Sequence, residues 1–138
     1  MSFRALASAL VVSVVAGLAF AGPATTAPQA RLVIEGIGLD VRLARRLSEG
    51  PVAYYRDRDT IAVAGHRTTY SHPFRELPRL RRGDRIRLGG RVYEVRRKAI
   101  VRPRATWVLN YRGLVLSACH PAGSDRFRYV VFAAELSR

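Results

Sequence analysis

The stretch "GLVLSACHPAGSDRFRYVVFAAEL", residues 113–136, contains the two runs of the chain that are most typical of β-strands. Its middle, "HPAGSDRF" at 120–127, carries the Pro, Gly, Ser and Asp residues that mark a turn. Two apolar strands joined by a turn predict an antiparallel hairpin. This hairpin contains the single cysteine of the chain, Cys119, near the end of its first strand.

One register of the hairpin sets Cys119 opposite Arg128. The same register forms the pairs Ser117 with Val130 and Val115 with Phe132. Opposed residues of antiparallel strands project from the same face, so the thiol would lie beside a permanent cation, which favours the thiolate. A shift of one residue would separate the two side chains. Cys119 is therefore either a small core residue or a nucleophile.

The chain from Arg31 onward consists of short strand-like runs between turns. Residues 31–43 indicate a strand, a glycine turn and a second strand, and "TIAVAG" at 60–65 indicates another strand. Gly89 and Gly90 lie between two strand-like runs, which predicts a second hairpin, and residues 72–80 predict one helical turn. Strands at this spacing, without a long amphipathic helix, predict an all-β domain that is a small closed barrel or a sandwich.

The amino-terminal segment is uncharged from residue 5 to residue 22, and Arg4 precedes it. The segment is typical of a cleaved signal peptide, because "AFAG" at 19–22 is a small-residue cleavage pattern. It also just reaches the length of an uncleaved membrane anchor. Residues 1–22 are thus predicted to be a signal peptide or an anchor in the membrane, residues 23–30 a linker, and residues 31–138 the functional domain. Both alternatives place that domain on the extracytoplasmic face of the membrane.

The length and net charge of the chain limit the functions that it can have. The chain has 138 residues, enough for one domain beside the leader, and a net charge of +14 that comes almost entirely from Arg. Such a surface attracts nucleic acid, anionic lipid headgroups or acidic wall polymers, and it is equally typical of a solvated basic face. The leader, and the lack of an aromatic-rich basic strand, argue against a nucleic-acid-binding barrel.

Metal and disulfide chemistry find no support in the sequence. A single cysteine excludes a disulfide within the chain. The Cys and His residues do not show zinc spacing, and no acidic run resembles a calcium loop. The sequence therefore predicts neither a metal nor an organic cofactor.

Three histidines could serve as an acid or a base. His120 adjoins Cys119 and would point to the opposite face of a continuing strand, which makes it a poor catalytic partner. His72 lies in a turn-like segment. His66 follows the strand at 60–65 and can lean over the end of a neighbouring strand. A histidine is often merely structural, so the residue type alone does not decide between these roles.

Several segments together resemble the sortase family, most closely the class E sortases of actinobacteria. "DTIAVAGHRTTYSHPFRELPRLRRGDRIRL", beginning at Asp59, resembles the segment around the sortase catalytic histidine. "GLVLSACHP" resembles the end of the TLxTC strand, and "RFRYVVFAAEL" resembles the strand that carries the essential arginine. The resemblance covers residues 31–136 with the elements in family order. It implies a closed sortase-type β-barrel of about eight strands with one or two short helical turns.

The resemblance also implies an activity and a set of site residues. Sortases are cysteine transpeptidases that cleave a sorting signal such as LPxTG, or LAxTG in class E, through a thioacyl intermediate. They transfer the surface protein that bears the signal to an amine of the cell wall. The implied catalytic residues are Cys119, His66 and Arg128, with Arg126 as the alternative arginine. The implied substrate-binding residues are Thr68, Tyr70, Ala118 and Arg126, although Thr68 and Tyr70 are equally typical of ordinary loop residues.

Two departures from the family pattern keep a second hypothesis open. The threonine that usually precedes the cysteine is Ala118, and the first threonine of the motif is Val115. The stretch between residues 44 and 60 is also short for the family. These departures fit a catalytically weak or inactive sortase-fold module that binds peptides or wall polymers, with Cys119 as a packed residue.

Overall fold

The computed structural model describes residues 30–137. These residues form one sheet of eight strands, which are β1 Arg31–Ile34, β2 Leu39–Arg42, β3 Val52–Arg56, β4 Thr60–Ala64, β5 Arg85–Leu88, β6 Arg91–Val101, β7 Gly113–His120 and β8 Phe127–Glu135. Three short 3₁₀ helices lie between the strands, at Glu35–Ile37, Leu77–Arg79 and Thr106–Asn110. The predicted all-β class with about eight strands is confirmed.

The strands follow the order β2-β1-β5-β6-β8-β7-β4-β3 across the sheet. Each neighbouring pair is antiparallel except β4 and β7, which run parallel. The sheet curls as a half-barrel with β2 and β3 at its two ends. Strand β7 lies between β8 and β4, so a side chain at its end has neighbours on both sides.

The predicted hairpin of residues 113–136 is confirmed in its register. Strands β7 and β8 pair Cys119 with Arg128, Ser117 with Val130 and Val115 with Phe132. The hairpin around Gly89 and Gly90 is also present, as β5 and β6. The single helical turn predicted within residues 72–80 is present as the 3₁₀ helix Leu77–Arg79.

Apolar side chains cover both faces of the central strands. The inner face packs the larger cluster, which includes Leu32, Ile61, Val63, Phe74, Leu77, Ile86, Leu114, Leu116, Ala118 and Val131. The outer face of β4, β7 and β8 packs a smaller cluster of Ala62, Val101, Val108, Val115, Val130 and Phe132. Burial on two faces explains why β7 and β8 read as continuous apolar runs rather than alternating ones.

Gly113 begins β7 in a backbone conformation that L-residues rarely adopt, with φ at +136°. A Cβ at this position would also overlap the carbonyl oxygen of Ala133 on β8. We therefore expect Gly113→Ala to lower the free energy of unfolding by roughly 2–3 kcal/mol, because backbone strain and overpacking act together. Urea unfolding measures the change, and Gly123→Ala, at a positive φ with open space around the Cβ, separates strain from overlap. Equal losses in the two variants would contradict the role of the overlap.

The predicted signal peptide or anchor at 1–22 and all of the linker except Ala30 lie outside the described residues. Ala30 already belongs to the fold, since its carbonyl oxygen accepts a hydrogen bond of 2.8 Å from the backbone N–H of Leu43. Within residues 30–137, no helix has the length and apolar character needed to cross a membrane.

Candidate active site

Cys119 is half-buried near the end of β7, directly opposite Arg128 of β8. Alternation along β7 turns the Cys119 side chain to the same face as Ser117 and Val115. That face carries the smaller apolar cluster toward its middle and opens to solvent at the strand end. The thiol is therefore accessible and lies beside the strand that carries a fixed cation.

His66 approaches Cys119 from the opposite side, through the parallel pairing of β4 with β7. The pairing sets Ala64 against Ser117, and the N–H of Gly65 donates a hydrogen bond of 3.1 Å to the carbonyl oxygen of Ser117. Continuing this register by two residues places His66 next to Cys119. Both residues line one open pocket of about 410 Å³, together with Arg67, Thr68, Thr69, Gly123, Ser124 and Asp125.

The guanidinium of Arg128 is oriented by the loop that joins β7 to β8. Its Nη1 donates hydrogen bonds of 2.9 Å to the carbonyl oxygen of Asp125 and 3.0 Å to that of Phe127. These bonds engage one of the three guanidinium nitrogens. Arg128 thus combines a fixed position with hydrogen-bond donors, as recognition of a carbonyl or oxyanion requires.

A second pocket, of about 340 Å³, lies on the Arg128 side of β7. Ser117, Val130 and Arg128 of the sheet contribute to its lining, and the segment from Val101 to Leu109 contributes most of the rest. Leu47, Tyr54 and Ala64 complete the lining. The lining is mostly apolar, so this pocket suits an aliphatic side chain, whereas the lining of the pocket around His66 is polar and apolar in about equal parts.

The segment after His66 is held against the core by a close contact. The N–H of Phe74 donates a hydrogen bond of 3.0 Å to the carbonyl oxygen of His66, and the Phe74 ring is fully buried. Between them, Tyr70, Ser71 and His72 all have positive φ values. This tight turn brings the Tyr70 ring to 5.1 Å from the His66 ring, measured between centroids.

The absence of a side chain at Gly65 allows the Phe74 ring to pack against the backbone there. A Cβ at this position would lie 2.6 Å from the Phe74 ring. We expect Gly65→Ala to lower the free energy of unfolding by about 1–3 kcal/mol, because the buried ring must shift. Chemical denaturation measures the loss, and the double variant Gly65→Ala, Phe74→Leu should recover part of it relative to the sum of the single changes. Strict additivity of the two substitutions would contradict this account.

The family model of the sortase domain matches residues 32–136. The chain belongs to the sortase family. Sortases are cysteine transpeptidases, and Cys119 is the single cysteine of this sortase.

Solved sortase structures share the fold. Sortase E1 from Streptomyces coelicolor is 22% identical with a TM-score of 0.70, over 79% of this chain and 88% of that chain. Sortase C-1 from Actinomyces oris is 23% identical with a TM-score of 0.68, over 80% and 74% of the two chains. Sortase A from Corynebacterium diphtheriae is 21% identical with a TM-score of 0.69, over 80% and 61%. The search of the curated proteins found no match.

The remaining predicted site residues are placed unevenly around Cys119. Thr68 lines the pocket that contains Cys119, and Tyr70 is exposed beside His66. Ala118 turns its methyl group into the inner core cluster, so a contact with substrate is left to its backbone. Arg126 is exposed, with its guanidinium 5.6 Å from the centroid of the neighbouring Phe127 ring.

His120 and Trp107 lie away from the Cys119 face. The His120 ring lies 5.6 Å from the Tyr129 ring, on the opposite face of β7, as the alternation along the strand predicts. Trp107 stacks on Phe132 at 6.0 Å and covers the outer cluster. Among residues 30–137, no group of three or more His, Cys, Asp and Glu side chains is arranged to hold a metal ion.

Sequence reasoning passed over Arg67, which follows His66 directly. Its Nη1 lies 3.1 Å from the carbonyl oxygen of Cys119 and 3.1 Å from Nδ1 of His120. The available signal was an arginine adjoining a candidate catalytic histidine at a strand end. Pattern alone gives no reason to separate it from the many other arginines of this chain.

Proposed function

We propose that this sortase is an extracytoplasmic enzyme that cleaves a C-terminal sorting signal of the LPxTG or LAxTG type and transfers the protein to an amine of the cell wall. The observation that carries the proposal is the position of Cys119 between β8, which bears Arg128, and the end of β4, which leads to His66. A nucleophile, a proton donor and an oxyanion donor are the groups that acyl transfer through a thioester requires.

The proposed reaction balances without a cofactor. The Cys119 thiolate attacks the carbonyl carbon of the Thr–Gly bond, the C–N bond breaks, and His66 gives its proton to the departing glycine amine. Arg128 donates hydrogen bonds to the oxyanion of the tetrahedral intermediate. An acceptor amine then attacks the thioester, passes a proton to His66 and restores the thiolate. One amide bond is exchanged for another, so no oxidant or reductant is needed.

The apolar pocket beside Arg128 supports recognition of the sorting signal. Its lining by Val101, Val108, Leu109 and Val130 suits the leucine that opens the LPxTG or LAxTG sequence. Ser117 and Arg128 contribute to that pocket from the strands next to Cys119, so a bound peptide would run from the pocket toward the thiol. A tripeptide occupies the active site of the similar Streptomyces coelicolor sortase E1, which fits a peptide substrate here.

The amino-terminal segment supports the proposed location. Residues 5–22 are uncharged and apolar enough for a signal peptide or an anchor. An enzyme held at the outer face of the membrane would meet both exported proteins and wall precursors there. Its partners would then be proteins that carry a sorting signal and the amine of the wall precursor.

A binding module without catalysis remains the second candidate, because the residue before Cys119 is alanine rather than threonine. The geometry weakens it. The Ala118 methyl group packs among Leu32, Ile61 and other core residues, on the face of β7 that points away from the thiol. The alanine therefore lies off the Cys119 face of the strand, whereas Val115, the other departure, shares that face but is fully buried in the smaller apolar cluster.

A direct assay separates the two candidates. The protein is incubated with a peptide containing Leu-Pro-Ala-Thr-Gly or Leu-Ala-Ala-Thr-Gly, with triglycine as the amine, and both products and protein are analysed by mass spectrometry. We expect a peptide joined to triglycine and an acyl adduct on the tryptic fragment that contains Cys119. Peptide binding without cleavage or adduct would favour the binding module.

A further inference from the structure

The backbone ladder between β4 and β7 stops before it reaches the catalytic pair. Strand β4 ends at Ala64, and the last backbone bond of this pairing, among the described residues, runs from Gly65 to Ser117. His66 and Cys119 both lie beyond it. The ladder therefore brings the two residues close, but another interaction must hold the segment of His66 against the end of β7.

The side chain of Arg67 makes such an interaction. Its Nη1 donates a hydrogen bond of 3.1 Å to the carbonyl oxygen of Cys119 and lies 3.1 Å from Nδ1 of His120. The two acceptors belong to consecutive residues of β7, and the donor belongs to the residue after His66. The contact therefore joins the neighbours of the nucleophile and of the proposed acid.

The chemistry of the three groups agrees with a fixed arrangement. Nη1 of an arginine carries two hydrogens, one for each acceptor, and a guanidinium cannot accept a hydrogen bond. Nδ1 of His120 must therefore be the acceptor. The His120 ring is packed 5.6 Å from the Tyr129 ring, which limits its rotation. A guanidinium nitrogen held by a packed histidine and a backbone carbonyl is more rigid than a contact between two flexible side chains.

Arg67 keeps this position at a cost. Its Nε is buried and makes no hydrogen bond within the described part of the chain. A buried donor without a partner is unfavourable by about 1–3 kcal/mol. The side chain nevertheless lines the pocket of Cys119, whereas most arginines of residues 30–137 are exposed to solvent. Such a group in a native fold calls for an explanation, and a role in the neighbouring site is one.

We propose that Arg67 is a positioning residue that, together with His120, holds His66 at reacting distance from Cys119. The inference rests on the proposed function, because it assigns a role to Arg67 in that reaction. It predicts that losing the bridge slows the chemical step and leaves peptide binding in the pocket beside Arg128 largely unchanged. A displacement of about 1 Å at a reacting centre can lower a rate by about 10²-fold.

The first experiment compares wild type, Arg67→Ala and the control Arg75→Ala, which removes an exposed arginine from the same segment. We expect Arg67→Ala to lower kcat roughly 10- to 100-fold with KM within about twofold. Thermal unfolding shows whether each variant is folded, and the fraction of Cys119 that reacts with iodoacetamide shows whether its thiol is accessible. A kcat within twofold of wild type, or a loss confined to KM, would overturn the inference.

A second pair of variants leaves Arg67 in place, in case its removal prevents folding. His120→Asn retains an acceptor near the position of Nδ1, and His120→Phe retains a ring of similar bulk without one. We expect His120→Asn to keep most of kcat, and His120→Phe to lose several-fold. Equal kcat values for these two variants would also overturn the role of the bridge.

Hydrogen–deuterium exchange separates failure of this inference from failure of the proposed function. If the wild type does not turn over the peptides, the proposed function fails. Hydrogen–deuterium exchange alone then tests whether Arg67 holds the segment of His66 in place. Faster exchange of residues 66–72 in Arg67→Ala but not in Arg75→Ala supports that role. Unchanged exchange of this segment rejects it.

Discussion

Cys119→Ala is expected to abolish transpeptidation, with a loss in kcat of roughly 10⁴-fold or more, and to remove the acyl adduct. The alanine keeps the backbone of β7 and its pairing with β8, so Arg128 and the loop carbonyls that orient it remain in place. The variant loses the sulfur that forms the covalent intermediate in the proposed reaction. Product formation from the peptide and triglycine, followed by mass spectrometry, measures the loss.

The structure makes this substitution a clean test. Cys119 is half-buried and lies outside both apolar clusters, so removing its sulfur leaves little cavity. Thermal unfolding of the variant should stay within a few degrees of wild type. Because the chain has a single cysteine, an iodoacetamide label on wild type reports Cys119 alone and should vanish in the variant. Equal turnover by both proteins would reject Cys119 as the nucleophile.

The variant Cys119→Ser tests whether the reaction needs a thiolate. Serine preserves size and can donate a hydrogen bond, but its hydroxyl is far less acidic than a thiol and forms no comparable anion near neutral pH. We expect its activity to lie near that of Cys119→Ala, because neither His66 nor Arg128 changes the chemical nature of the hydroxyl. Activity close to wild type would indicate base-assisted attack rather than thiolate chemistry.

The register of the β7–β8 hairpin could be predicted from the sequence because it depends on local information. Apolar runs fix the two strands, the loop between them fixes their relative position, and pairing by face then sets Cys119 opposite Arg128. The side of β7 on which His120 lies follows from alternation alone. These conclusions need no knowledge of distant residues.

The parallel partner of β7 could not be derived in the same way. Strands β4 and β7 are separated by β5 and β6 in the chain, and no local pattern states that Ala64 meets Ser117. The resemblance to sortases supplied His66, but the bridge from Arg67 depends on that long-range pairing and on side-chain orientation. The orientation of Ala118 toward the core, by contrast, could have been predicted from the sequence, because side chains alternate along β7 and Cys119 faces the other side.

Arg128→Lys is expected to lower kcat by roughly 10²- to 10³-fold while changing KM less. The substitution keeps the positive charge but replaces a planar fork by a single ammonium. In the structure Nη1 is occupied by the carbonyl oxygens of Asp125 and Phe127, which leaves the other guanidinium nitrogens to face a substrate carbonyl. A lysine that satisfied the same two carbonyls would have a single donor hydrogen left, without the second nitrogen that aims a fork.

Two further arginine variants decide whether position or charge matters. Arg112→Lys is the matched control, because Arg112 is highly exposed and pairs with Asp59 at the far end of β7; its kcat should stay at the wild-type value. Arg126→Lys tests the alternative arginine, whose guanidinium lies over the Phe127 ring and outside both pockets. A large loss in Arg126→Lys with near wild-type kcat in Arg128→Lys would transfer the oxyanion role to Arg126. Since only Arg128 pairs with Cys119 in the β7–β8 register, we expect the reverse.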